Sequence, residues 1–134
     1  MNLVAHGIDL VEVPGFNDSL REEPEGMLER CFTPFEVKMA EAHSKVESLA
    51  GWFATKEAVL KALGYGFAND LAFTDIEIRH NEFGAPYLVL SGECAKVAKK
   101  LEIGKWLVSI SHTGSTAIGS VIGLRQDDER KGAL

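Results

Sequence analysis

The sequence predicts an α+β fold, one domain in which an antiparallel sheet packs on a long central helix, and three observations carry that reading. Residues 47–63 keep apolar side chains at helical spacing without a break. Residues 73–80 and 87–90 alternate at strand period on either side of a turn rich in Asn, Gly and Pro. Further strand-like runs stand at 3–13, 106–110 and 117–124. With 134 residues, 46% of them hydrophobic, the chain has material for one core and not for two.

Taken in order, residues 3–13 are β-branched and aliphatic enough for a strand, and Pro14-Gly15 is expected to close it. Residues 16–45 are helical but interrupted at Pro24 and Gly26. Thr33-Pro34-Phe35-Glu36 then has the form of an N-cap, a first-turn proline and a capping-box acid, so a new helix starts at Thr33. The helix 47–63 meets Gly64 and Gly66, which suit a C-terminal stop. The hairpin 73–90 turns at Asn81-Glu82-Phe83-Gly84-Ala85-Pro86, residues 92–101 return to helical spacing, and the last two strands flank Ser111-His112-Thr113-Gly114-Ser115. The domain is expected to occupy residues 1–125, and the mixed-charge stretch 126–134 to fray as a polar tail.

A net charge of −6 argues against nucleic acid and against an anionic membrane, because both select an excess of Lys and Arg. The opening residues have no basic leader followed by an apolar core, and no apolar run approaches the length of about 20 residues that spans a bilayer. The expectation is a cytoplasmic protein. Cys31 and Cys94 are far apart and lack a neighbouring His at ligand spacing, which indicates reduced thiols rather than a zinc site or a disulfide framework.

Three places break the pattern. Leu49, Phe53, Leu60 and Leu63 form one apolar helical stripe, and Glu57 falls on it. A carboxylate there must be neutralised, paired with a cation such as Lys61 one turn on, or bound to a metal. Asp9 likewise interrupts the apolar run Gly7-Ile8-Asp9-Leu10-Val11, and two embedded acids suit Mg²⁺, which takes one or two protein carboxylates and completes its octahedron with water and phosphate oxygens. Lys56 and Lys61 flank Glu57 and are either solvated charges or phosphate contacts. His112 follows a strand in a loop of hydroxyls. It is either structural or a binding group, and its adjacency to Ser111 makes no triad without a third member.

Gly7-Ile8-Asp9-Leu10-Val11-Glu12 resembles the G-x-D-x-x-E strand of the holo-acyl-carrier-protein synthases, a family of 4′-phosphopantetheinyl transferases. Phe53-Ala54-Thr55-Lys56-Glu57-Ala58-Val59-Leu60-Lys61-Ala62-Leu63-Gly64 resembles their F-A-x-K-E-A-x-x-K-A-x-G helix, and Ser109-Ile110-Ser111-His112 their S-I-S-H segment. Phe32-Thr33-Pro34-Phe35-Glu36, Asp75-Ile76-Glu77-Ile78 and Gly84-x-Pro86 fall where relatives have similar stretches, so the likeness runs from Gly7 to about residue 123.

The resemblance implies transfer of the phosphopantetheine arm of coenzyme A to a serine of an acyl carrier protein, with 3′,5′-ADP as leaving group, in fatty-acid, polyketide or other synthesis. It implies Asp9 and Glu57 as Mg²⁺ ligands. Lys56, Lys61 and His112 would contact coenzyme A phosphates, Gly64 and Gly66 would allow the nucleotide close to the backbone, and Asp9, Glu57 and Lys61 would form the catalytic set. It further implies a homotrimer with the active site between subunits, for which hairpin edge pairing is one physical means. Two departures stand out: Gly15 and Trp52 occupy places where relatives carry arginines. They motivate a second expectation, a coenzyme A-binding homologue that no longer transfers. A third, a structural trimer with Asp9, Glu57 and Lys61 as a buried ion network, predicts no Mg²⁺ dependence.

Overall fold

The computed structural model describes residues 2–43, 46–64 and 70–126. Among the described residues ten elements of α-helix and strand follow one another: β1 (Leu3–Glu12), α1 (Val13–Glu22), α2 (Pro24–Cys31), α3 (Pro34–His43), α4 (Val46–Leu63), β2 (Ile76–His80), β3 (Pro86–Leu90), α5 (Gly92–Lys100), β4 (Ile103–His112) and β5 (Thr116–Arg125). The fold is α+β, with two antiparallel sheets: three strands in the order β1-β5-β4, and the hairpin β2-β3.

Small residues decide how α4 lies on the larger sheet. A methyl built at Gly7 on β1 would stand 1.9 Å from the carbonyl oxygen of Ala58, and one at Gly119 on β5 would stand 2.6 Å from the Thr55 backbone. Gly51 in turn sits against Ile110 of β4, where an added methyl would come within 2.9 Å of Ile110 Cγ2. The helix therefore crosses the sheet diagonally, with residue 51 over β4, residue 55 over β5 and residues 58–62 over β1. Its amino-terminal half belongs to one edge of the sheet and its carboxy-terminal half to the other.

Two apolar clusters close around this contact. Val59, Leu60, Leu63, Ile76, Cys94 and Val121 are buried in the first. Phe16, Phe32, Leu49, Trp52 and Ile78 are buried in the second. Phe53 links α1 to the hairpin side, its ring 5.5 Å from Phe16 and 5.2 Å from Phe73. The opposite face of the larger sheet is also apolar but bare: Ile8, Leu10 and Leu107 are 49%, 62% and 44% exposed.

Several boundaries differ from the sequence expectation. Pro14-Gly15 does not separate strand from helix, because α1 already begins at Val13 with the proline in its first turn, where a missing N–H and a preset φ do no harm. Pro24 opens α2 in the same way, and Gly26 lies inside that helix. Residues 73–75 form one turn of 3-10 helix ahead of β2. β4 and β5 extend beyond both expected ends, carried by ladder pairing from Ile103↔Arg125 to His112↔Ala117. The capping box is present as read: Thr33 Oγ1 accepts from the Glu36 amide at 3.2 Å, and Glu36 Oε1 accepts from the Thr33 amide at 2.9 Å.

Candidate active site

Asp9 lies two residues beyond Gly7 on β1, so both face α4. Glu57 immediately precedes Ala58, the residue that Gly7 touches. The close passage of helix over strand thus brings the two acids together. The Asp9 side chain is only 10% exposed; its Oδ1 accepts from Lys61 Nζ at 2.7 Å, and the same ammonium donates to the Ile8 carbonyl at 3.1 Å. The buried Oδ2 has no hydrogen-bond partner. Burial, and then the neighbouring Asp9 carboxylate, push the Glu57 pKa up to about 7. Hydrogen bonding to Asp9 raises that of Lys61.

Of the arrangements open to Glu57, the internal pair with Lys61 is not the one formed, since the Lys61 salt bridge goes to Asp9. A carboxylate oxygen without a donor beside a second carboxylate that resists ionisation is an environment short of positive charge. Two hard anionic oxygens of this kind fit Mg²⁺, which needs no larger protein cage when a phosphate substrate supplies the rest. Among the described residues no group of three or more His, Cys, Asp or Glu gathers for a metal.

Lys56 is elsewhere. Its side chain is fully buried, and Nζ donates to Glu36 Oε1 at 2.5 Å, to the Ile76 carbonyl at 2.7 Å and to the Phe73 carbonyl at 3.1 Å. All three donors of the ammonium are used within the core, so the expected contact with a coenzyme A phosphate is not available to it. The sequence could not reveal this, because Glu36 is 20 residues away and its capping role already explained it.

Gly64 ends α4 with φ of +80°, a left-handed conformation that a side chain would strain, and its position is open. Gly66 lies outside the described residues. His112, at the end of β4, is not beside Asp9. It shares a cleft of about 190 Å³ with Ser48, Trp52, His80 and Ile110, at the sheet edge reached by the start of α4. Trp52 is buried, its ring 6.1 Å from His80. Neither His80 nor Ser48 carries a local signal for this place, since the hairpin brings His80 to β4 and the crossing of α4 over β4 brings Ser48. Gly15 is exposed in α1 with nothing close to it. A larger groove of about 710 Å³ between α2 and α3 contains none of the site residues expected from the sequence.

Fold and acid pair together define a class. Residues 5–117 match the family model of the 4′-phosphopantetheinyl transferase superfamily, and the chain belongs to that superfamily. Among curated relatives, the holo-[acyl-carrier-protein] synthase of Halothermothrix orenii is 42% identical over 118 residues, spanning 87% of this chain and 94% of its own. The solved structure of the Helicobacter pylori holo-[acyl-carrier-protein] synthase in complex with coenzyme A superposes with a TM-score of 0.79 at 33% identity, covering 89% of this chain and 99% of that one. That of the Bacillus anthracis synthase in complex with CoA (3′,5′-ADP) gives 0.76 at 31%, covering 92% and 98%.

Proposed function

We propose that this chain transfers the 4′-phosphopantetheine group of coenzyme A to a serine of an apo-acyl carrier protein, dependent on Mg²⁺ and releasing 3′,5′-ADP. The observation that carries the reading is the Asp9–Glu57–Lys61 cluster with its unpartnered carboxylate oxygen, in a chain of this superfamily. Asp9 and Glu57 would hold the ion. Bound there, Mg²⁺ supplies the charge that neutralises a pyrophosphate.

The chain's own residues do the remainder. Lys61 is 59% exposed, so its ammonium can reach a phosphate oxygen while still tied to Asp9. The Glu57 carboxylate has a second oxygen with which to accept the proton of the attacking serine hydroxyl. The open backbone at Gly64, one turn beyond Lys61, leaves room for the nucleotide. Phosphoryl transfer asks mainly for such positioning and charge, and no covalent enzyme intermediate is required.

His112 sits beside the start of α4 at the β4 edge while the acid pair lies farther along the helix at β1, so we assign to one coenzyme A the acids of one copy and His112 of the next. That assignment needs an oligomer. The bare apolar face of the larger sheet supports a homotrimer, because patches of that kind on a soluble domain mark association surfaces. Domain boundaries at 1–125 and a cytoplasmic location complete the proposal; among the described residues no helix is long and apolar enough to cross a membrane.

Mass spectrometry of apo-carrier proteins incubated with the chain, coenzyme A and Mg²⁺ tests the reading. A gain of about 340 Da, abolished by EDTA and by Glu57→Gln, is expected. Gly15 and Trp52, in place of cations, favour one second reading, a coenzyme A binder without transfer. It predicts Mg²⁺-dependent coenzyme A binding with no mass gain across a broad carrier panel.

A further inference from the structure

We infer that Glu36 is a positioning residue for Glu57, acting through the buried Lys56; the inference rests on the acid-pair site proposed above. Lys56 and Glu57 are adjacent on α4 and about 100° apart around its axis, so whatever fixes the roll of the helix at Lys56 fixes where the Glu57 carboxylate points. Three acceptors fix it: Glu36 on α3, the Phe73 carbonyl in the 3-10 turn and the Ile76 carbonyl at the start of β2. Glu36 is itself held by three donors, its Oε1 taking Lys56 Nζ and the Thr33 amide and its Oε2 taking the Ile78 amide at 2.7 Å. Both side chains are fully buried, and apart from the Thr33 amide in the capping box of α3 every contact joins separate elements.

The sensitivity is geometric. A roll of α4 by about 20° carries a carboxylate about 5–6 Å from the helix axis through about 2 Å. Mg²⁺ demands near-octahedral geometry with oxygens at about 2.0–2.1 Å, so a displacement of that size removes a ligand. On the other flank the helix rests on Gly7 and Gly119, which permit closeness but donate and accept nothing by side chain. Lys61 adds a half-exposed tie from α4 to Asp9 and the Ile8 carbonyl, whereas the Glu36–Lys56 pair is the fully buried directional contact and lies beyond direct reach of the substrate.

The test uses the full chain and titrates Mn²⁺ as the probe, followed by the electron paramagnetic resonance of the free ion, with kcat and the carrier KM measured alongside. Glu36→Gln is expected to weaken Mn²⁺ binding and lower kcat by about 10- to 100-fold, the range for residues that orient metal ligands, with the carrier KM unchanged. The double variant Glu36→Gln/Lys56→Met, which removes both charges while the Gln oxygen still accepts from a backbone amide, is expected to fold with a lowered melting temperature and show the same loss. Should Glu36→Gln not fold, Glu36→Asp, which retracts the carboxylate by one methylene, takes its place. Parent-like Mn²⁺ affinity and kcat in folded variants overturn the inference and reduce the pair to a structural cross-link. A parent that binds no Mn²⁺ overturns the acid-pair site and the inference with it, a result distinct from a parent that binds and variants that bind equally.

Discussion

Lys61 Nζ stands 2.7 Å from one oxygen of Asp9, while the other oxygen of that carboxylate is buried without a partner. The carboxylate is therefore half satisfied when Glu57 is ionised: one side is closed by a solvent-reaching cation, and the other lies beside the Glu57 carboxylate, where a metal ion can enter. Lys61→Met removes the cation and leaves the apolar stem. Because a charge-assisted contact contributes about 1.5–3 kcal/mol, kcat/KM for coenzyme A is expected to fall by about 10- to 150-fold. The exposed ammonium contributes little to folding, so the melting temperature should move by no more than a few degrees. Steady-state kinetics beside thermal melts separate the two effects. A loss smaller than threefold would remove Lys61 from the site.

Glu57 makes the metal-free protein sensitive to pH in a definite direction. Its folded pKa of about 7 lies above the ordinary 4.5, so the folded state holds a proton that the unfolded chain has released through that window. The stability tied to this proton is complete below about pH 4.5 and is lost as the pH rises through about 7. Mg²⁺ binds the carboxylate form, so its affinity should climb with pH until about 7 and then level. The gain in melting temperature on adding Mg²⁺ is thus expected to be larger at pH 8 than at pH 6. Glu57→Gln should flatten both trends. Melts from pH 5 to 8.5, with and without Mg²⁺, check this, and a Mg²⁺ effect independent of pH would contradict it.

Gly7 carries the contact that sets Asp9 and Glu57 side by side. Ala at this position would put a methyl 1.9 Å from the Ala58 carbonyl oxygen, with backbone rather than a flexible side chain in the way. Overpacking of a core commonly costs about 1–3 kcal/mol, and a rigid backbone neighbour places Gly7→Ala at the upper end. Urea unfolding should show a lower midpoint with an unchanged slope. The helix can relieve the clash only by lifting from β1, so Mg²⁺ affinity should fall as well. Gly15→Ala, where nothing lies near an added methyl, is the matched control: helix propensity should hold or slightly raise the urea midpoint, and Mg²⁺ affinity should be unchanged.

Those two glycines illustrate what the sequence disclosed. Gly7 was legible only as part of a motif, since composition and period say nothing about which glycine meets a helix. Periodicity placed α4, the hairpin strands and α5 to within a few residues, because their apolar spacing and stop signals act locally. The embedded acids were legible for the same reason: a charge on an apolar stripe needs an explanation wherever the stripe packs. Lys56 was misjudged because its spacing equals that of a surface lysine, and only the arrival of α3 and β2 around it decides that it is buried. The first turn of α1 was misread since Pro-Gly carries a turn signal and Pro alone a helix-start signal, and Val13, packed against the Phe16 cluster, settles the competition.

The bare face of the larger sheet yields the last prediction. Pairing puts His6, Ile8 and Leu10 of β1 beside Ile122, Ser120 and Ile118 of β5, and Leu107 across from Ile122 on β4, so the apolar side chains form one surface over three strands. None of them contributes to the contact with α4, which uses the other side of the same strands. Leu10→Lys therefore leaves the monomer's core intact and places charge where a partner copy would pack. Light scattering on a sizing column should show the wild type as a trimer and the variant as a monomer with an unchanged far-ultraviolet spectrum. If coenzyme A is shared between the acids of one copy and His112 of the next, the monomeric variant should also lose transfer, while a mixture with Glu57→Gln chains carrying the wild-type face should not restore it. A wild type that is monomeric at micromolar concentration, or a dissociated variant with full activity, would refute the shared site.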